Sequence, residues 1–335
     1  MAQMFGLDLG TLNMKIYSSH ADQVYHIKNA IAVIDKNRLY AYGDEAYEMY
    51  EKAPERITVS FPVVNGVIAE YNHMQTIVFE YLNYISKNTI RGASYYIAVP
   101  SDITEVEKKA FYDIFYKSRS KPRHVMLCDK PVADALGMGV DVSRPNGVMV
   151  VDVGANTTEI SVISLGGLVL SSLLHYGSSR LDDSITAFLR RSENLVIGGK
   201  TSMKLKETIG CALPDETEAF ASVIGRNVIS GLPVTADVSS EVVYEAIREN
   251  LEAVCTAIRL VLEKTPPELA KDILSEGIWL TGGGSKLARL DELISKNTGI
   301  KVNQAKNPDE TAVMGLAVMA GDTRYKQFCY QMNTK

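Results

Sequence analysis

Two distant stretches of the chain share one pattern, an apolar run that ends in Asp, an apolar residue and Gly, followed by hydroxyl residues. They are Phe5-Gly6-Leu7-Asp8-Leu9-Gly10-Thr11 and Val150-Val151-Asp152-Val153-Gly154-Ala155-Asn156-Thr157-Thr158. Apolar runs and alternation predict strands at Met4 to Leu9, Met14 to Ser18, Gln23 to Ile27, Tyr95 to Val99, Gly147 to Asp152, Glu159 to Ser164, Val169 to Leu174 and Gly277 to Leu280. Gly166-Gly167 reads as the turn of the hairpin in the second half. Val243, Ile247, Leu251, Val254, Ile258 and Leu262 recur at steps of three and four, so one helix with a buried face should end before Thr265-Pro266-Pro267. Strands and helices alternate without low-complexity stretches, and the opening pattern repeats from about Gly147. The simplest architecture is α/β, two related halves facing one cleft.

Composition adds bounds to that picture. A chain of 335 residues with 46% hydrophobic content can bury a large core, and its size favours two domains. The net charge of −5, with basic clusters no longer than the pairs Lys108-Lys109 and Arg190-Arg191, leaves no electrostatic footprint for nucleic acid. Cys128, Cys211, Cys255 and Cys329 lack Cys-x-x-Cys spacing and read as isolated, reduced, buried thiols. The first strand begins by about Phe5, leaving no room for a signal peptide, and no run approaches the ~20 apolar residues of a spanning helix. A cytoplasmic protein is the expectation.

The repeated turns carry the chemistry. A Gly between two strands lets backbone N–H groups approach an anion, and Asp8 and Asp152 sit where each would hold Mg²⁺ through water. Ile278-Trp279-Leu280-Thr281-Gly282-Gly283-Gly284-Ser285 supplies a third Gly-rich turn after an apolar strand. Three such turns in this order point to a nucleotide cleft.

Further stretches resemble one family in order and spacing: Asp8-Leu9-Gly10-Thr11-Leu12-Asn13, Gly66-Val67-Ile68-Ala69-Glu70-Tyr71, Val99-Pro100-Ser101, Thr104-Glu105-Val106-Glu107, Asp152 to Glu159, Ser230-Gly231-Leu232-Pro233, Leu262-Glu263-Lys264-Thr265-Pro266-Pro267-Glu268-Leu269 and Leu280 to Gly284. Over nearly its whole length the chain resembles the bacterial actins of the rod shape-determining MreB/Mbl group, within the superfamily of actin, sugar kinases and heat-shock chaperone ATPases. The resemblance implies an actin-like ATPase fold of two ribonuclease H-like domains. The first would cover 1–146 with about 321–335, including a small subdomain about 30–70. The second would cover 147–320, with a small subdomain about 190–245. It also implies ATP or ADP with Mg²⁺ in the cleft, and cytoplasmic filaments of the chain itself that organise cell shape.

The resemblance assigns the phosphates to Gly10, Thr11, Leu12 and Asn13 on one side and to Gly154, Ala155, Asn156 and Thr157 on the other. Gly282, Gly283, Gly284 and Ser285 would pass beneath the adenine, and Lys206 matches the ribose-side lysine. Lys15 stands where eukaryotic actin has a phosphate-contacting lysine; a solvated strand-end lysine is the plainer reading. Catalysis would rest on Thr157 and Glu159.

Departures from the family fall on the chemistry. Lys130, in Asp129-Lys130-Pro131-Val132-Ala133-Asp134, stands where the rod-shape actins have the Glu that positions the attacking water. A lysine is a poor base unless its pKa falls by several units, so Lys130 is not expected to activate water, and an ATPase would depend on Asp129, Asp134 or Glu159 compensating, hydrolysis otherwise being slow or absent. Asp134 lies one helical turn beyond Lys130 and would pair with it. Ala155 and Asn156 replace glycines, which would strain Ala155 in a left-handed turn, and Met203 replaces the Glu of the ribose pattern Glu-x-x-Lys. Met1-Ala2-Gln3-Met4-Phe5 is too short for an amphipathic anchor and the 86–94 loop offers only Ile90 as an apolar tip, so inner-membrane contact would be weak or indirect. Other bacterial actins and cell-wall elongation proteins are the remaining partners the resemblance implies. Two other readings share these loops: a catalytically weak nucleotide-binding regulator that co-assembles with another filament protein, and a chaperone-type ATPase.

Overall fold

The computed structural model describes residues 3–35, 38–214 and 217–332. Met1 and Ala2 of the apolar N-terminal stretch lie outside the described residues. The chain opens with β1 (Met4–Leu9), β2 (Asn13–Ser18) and β3 (Gln23–Lys28). A small sheet follows, made of β4 (Ile31–Ile34), β5 (Arg38–Tyr42) and β6 (Ile57–Ser60), with α1 (Asp44–Met49) between the last two. The two-stranded β7 (Val63–Val64) and β8 (Val67–Ile68) lead to α2 (Tyr71–Ser86), β9 (Ser94–Val99), α3 (Glu105–Tyr116), β10 (His124–Asp129) and α4 (Lys130–Gly137).

The second half opens with β11 (Val148–Val153), β12 (Thr158–Ser164) and β13 (Gly167–Leu174), then α5 (Ser178–Ser192), β14 (Leu195–Val196), α6 (Gly199–Ile209), β15 (Phe220–Asn227), β16 (Pro233–Ser239) and α7 (Ser240–Lys264). It closes with α8 (Pro267–Glu276), β17 (Ile278–Thr281), α9 (Leu290–Thr298), β18 (Val302–Gln304), α10 (Thr311–Gly321), α11 (Thr323–Lys326) and β19 (Cys329–Tyr330). Two mixed sheets dominate, with strand orders β19-β10-β9-β1-β2-β3 and β13-β12-β11-β17-β18. β1 with β2 and β11 with β12 are the same device, an antiparallel pair whose first strand is flanked on its other side by a parallel neighbour.

Every strand expected from the pattern is present within two residues of its expected bounds. The turn of the second hairpin is displaced by one residue: Leu165 (φ 53°) and Gly166 (φ 73°) form it, and Gly167 already opens β13. α7 runs its predicted course and ends before the prolines because Pro266 has no N–H to continue the ladder. Its face buries Val243, Ile247, Leu251, Val254, Ile258 and Val261, while Leu262 is only partly covered. One apolar core lies against each large sheet and a third fills the space between them, around α4 and α10. These two helices meet backbone to backbone. A Cβ at Gly137 would fall 1.9 Å from the Thr311 carbonyl oxygen, and one at Gly315 would fall 1.7 Å from that of Ala133. Only glycines allow the crossing.

The expectation of four reduced, isolated thiols is corrected. Cys211 and Cys255 are buried thiols outside any disulfide, but Cys128 and Cys329 form one across 201 residues of sequence. The reason is register: β19 pairs antiparallel with β10, and the two cysteines stand directly opposite with Cα atoms 4.6 Å apart. Ile90 is likewise no apolar tip, since it packs against the core of the first sheet. Exposed apolar side chains gather instead around the β15–β16 hairpin, with Ile229 at 81% and Leu232 at 65% exposure. No helix among the described residues is long and apolar enough to cross a membrane.

Candidate functional site

The two large sheets face each other across a cleft of about 500 Å³. From the first sheet it receives Asp8 at the end of β1, the turn Gly10, Thr11, Leu12 and Asn13, and Lys15 on β2. Asn29, wholly buried, fixes that turn: its side-chain amide donates to the Gly10 carbonyl (2.8 Å) and its backbone N–H to that of Leu12 (2.9 Å). From the second sheet come Asp152, Gly154, Ala155, Asn156, Thr157 and Glu159. The Gly154 N–H donates to the Thr157 carbonyl (2.8 Å), and the first amides of α5, at Ser178 and Ser179, donate back to the carbonyls of Gly154 and Ala155. The strain expected at Ala155 is absent, because neither Ala155 nor Asn156 has positive φ.

The third loop also lines the cleft, through Gly282, Gly283 and Gly284. Its glycines answer to different demands. Gly282 sits at φ 85°, and a Cβ there would meet Asp152 Oδ1 at 2.1 Å. This is a close approach to the second loop. Gly283 alone of the three leaves open space. Ser285 does not line the cleft; it is fully buried, its hydroxyl donating to the Gly282 carbonyl (2.7 Å) and fixing the turn. Lys286, the next residue, reaches the cleft instead and pairs with Asp309 (3.0 Å).

Four carboxyls and two ammonium groups meet on the cleft floor. Lys15 Nζ lies 3.0 Å from Asp8 Oδ2. Burial works against charge on Asp8, yet Lys15 and Lys130 outweigh it and hold its pKa below the usual range. Lys130 opens α4, ion-paired with Asp152 Oδ2 and 3.4 Å from Asp134 Oδ2. Burial opposes its charge as well, but Asp134, Asp152 and Asp8 together raise its pKa well above the usual lysine value. The expected pairing of Lys130 with Asp134 is thus present, with Asp152 as a closer partner. Asp134 is pushed up to about 7 by burial, against the pull of Lys130, and accepts a hydrogen bond from Thr311 (2.7 Å).

Glu159 is also pushed up to about 7 by burial, although its carboxylate accepts hydrogen bonds from the Ser101 backbone N–H (2.9 Å) and hydroxyl. Because Ser101 follows β9 of the first sheet, this contact ties the two halves together. Asp129 does not line the cleft; it accepts from the Tyr330 hydroxyl (3.2 Å).

At the far end, Lys206 Nζ pairs with Asp182 (2.8 Å) and donates to the Ser178 carbonyl (2.8 Å), with Met203 beside it on the wall. Burial raises the Asp182 pKa to about 6. Sequence reasoning missed Asn29, Ser101 and Asp182, all polar side chains whose partners lie on other elements. Beside Met203 on the cleft wall, α1 meets α6. The Tyr47 ring lies between Lys28 Nζ (4.9 Å) and Lys200 Nζ (4.5 Å), Lys200 donates to the Tyr47 carbonyl (2.6 Å), and the Gly199 N–H donates to Glu51 (3.2 Å).

Two mixed sheets with duplicated strand–turn–strand loops around one cleft define an actin-like α/β fold. MreB5 of Spiroplasma citri bound to ADP superposes with a TM-score of 0.91 at 28% identity, covering 98% of both chains, and the same protein bound to AMPPNP gives 0.91 at 29% over 96% of each. A MamK double helical filament shares the fold, with a TM-score of 0.81 at 21% identity over 96% of this chain and 99% of that one. The chain belongs to the MreB/Mbl family, whose profile, described as MreB/Mbl protein, matches residues 2–327. Among curated relatives, the cell shape-determining protein Mbl of Bacillus subtilis is 36% identical over 95% of this chain and 96% of its own length.

Proposed function

We propose that this chain is an actin-like cytoskeletal protein that binds ATP and ADP in the central cleft, assembles with copies of itself into filaments and takes part in determining cell shape. The observation that carries this reading is the convergence of three loops, at Gly10 to Asn13, Gly154 to Thr157 and Gly282 to Gly284, on one cleft between two sheets. Family membership and the nucleotide-bound MreB5 relatives support it. In this reading the domains are 1–146 with about 321–335, and 147–320, each with its small subdomain. The backbone amides of the first two loops take the phosphates, and Lys206 and Met203 flank the ribose. The working place is the cytoplasm at the inner membrane face, reached weakly or through partners, which include other bacterial actins and cell-wall elongation proteins.

Mg²⁺ fits poorly as an ion held through water on Asp8 and Asp152. Each carboxylate already carries a lysine ammonium, and among the described residues no group of three or more His, Cys, Asp or Glu side chains gathers to hold a metal. Asp152 Oδ1 is buried against Gly282 without a hydrogen-bond partner.

Hydrolysis is slow in this reading, since the first residue of α4 is a firmly protonated lysine and Glu159 is the carboxyl suited to accept a proton near neutral pH. The same observation favours a second reading, a catalytically weak partner that joins filaments of another subunit. Sedimentation and electron microscopy with ATP, ADP and AMPPNP, with phosphate release followed on the same samples, test both. Pelleting alone is expected, with phosphate release at least about tenfold slower than in Lys130→Glu. Pelleting only with another family member favours the second reading, and equal release by parent and variant removes the role given to Lys130.

A further inference from the structure

The two carboxylates that would face a divalent cation, Asp8 and Asp152, are each covered by an ammonium group rooted in a different element, Lys15 on β2 and Lys130 at the start of α4. Both lysine side chains line the nucleotide cleft, yet they are only 14% and 17% exposed, so neither is a swinging surface cation. A divalent ion with its shell of water on these carboxylates would have to displace both ammonium groups from their partners or share a small buried volume with them. Like charges in that setting repel strongly.

The arithmetic of charge suggests what the lysines do instead. Two ammonium groups bring the same two positive charges as one divalent cation. Each has three N–H donors, and Lys130 spends donors on Asp152 and Asp134, leaving capacity for a phosphate oxygen. The carboxylates then act as anchors that aim the ammonium groups into the cleft. Asp134 is itself fixed by Thr311, so the anchor does not swing.

We propose that Lys130, with Lys15, replaces the divalent cation in this chain, so that the cleft takes the metal-free nucleoside di- and triphosphate. The proposal rests on the nucleotide-binding reading above, and its failure is distinguishable from the failure of that reading. Titration calorimetry with ATP and with ADP, in EDTA and again in millimolar MgCl₂, is the experiment. For the parent, Kd in the two buffers should agree within about threefold, whereas Lys130→Glu, which restores a carboxylate and removes a cation, should bind at least about tenfold more weakly in EDTA than in MgCl₂. Lys130→Met, which removes only the charge, should lose about tenfold in EDTA and serves if the Glu variant does not fold, as judged by thermal unfolding. Binding by the parent in MgCl₂ but not in EDTA overturns the proposal while leaving the nucleotide cleft intact. Absence of binding in both buffers overturns the nucleotide reading, and the proposal with it.

Discussion

Glu159 carries a large pH consequence for a single residue. Its ordinary value of 4.5 rises to about 7 in the fold because burial disfavours the anion. The folded state therefore holds a proton that the unfolded state has released between these values, so stability is highest below about 4.5 from this group and falls as pH rises to about 7, with no further change above. In Glu159→Gln, which keeps an acceptor for Ser101 but does not titrate, the fall in unfolding free energy across that window should shrink by as much as about 3 kcal/mol, read from urea unfolding at a series of pH values. An unchanged pH profile would mean that the buried carboxyl is ionised throughout. At this scale the sequence is legible where a residue type is unusual in its pattern, as Asp8, Lys130 and Asp152 are. It is not legible where the function of a residue depends on a partner far along the chain. Ser285 looks like a loop ligand and is a buried turn fastener, Asn29 carries no motif and holds the first loop, and Ser101 sits in a matching stretch that says nothing of its partner Glu159.

Elements with a complete apolar period are the ones the sequence reveals. The strands β1, β2, β11 and β12 bury nearly continuous or alternating faces, and α7 has a stripe six residues long in the core, so each was readable from its own residues. The small strands β4 to β8 and the β14–β16 sheet were not. β15 and β16 expose most of their length, and Phe220 and Ile224 stand in solvent where the usual pattern would bury them. The α4–α10 crossing escaped notice for another reason, since a single Gly in an apolar helix says nothing of what it touches. Its cost is testable. Gly315→Val would drive α10 away from the Ala133 carbonyl, opening the core between the sheets, and should lower unfolding free energy by at least about 3 kcal/mol in urea titration. A loss below about 1 kcal/mol would mean that the helices separate freely.

Across the whole molecule, the architecture of two related halves follows from the duplicated turns, but what joins the halves is a property of their contact. Glu159 to Ser101 ties them at the floor, and a second tie joins Tyr47 of the first half to Lys200 of the second. The contact between α1 and α6 is built from two hydrogen bonds, Lys200 to the Tyr47 carbonyl and Gly199 N–H to Glu51, and cation–π attraction at a partly exposed ring, a strength suited to opening and closing. Tyr47→Ala should therefore speed release of bound ATP by about tenfold without changing the unfolding midpoint by more than a few degrees, measured by stopped-flow displacement of a fluorescent analogue and by thermal unfolding. Release at the parental rate would assign the gate elsewhere.

The bond between Cys128 and Cys329 turns most of the chain into a covalent ring. All of the second half, including its three strands of the nucleotide loops and the helices α4 to α11, lies on that ring, while β1 to β9 hang from it as an open arm. A protease cut at the exposed β15–β16 tip would linearise the ring without dividing the molecule, whereas a cut in the arm before Cys128 would shed a fragment held only by its packing.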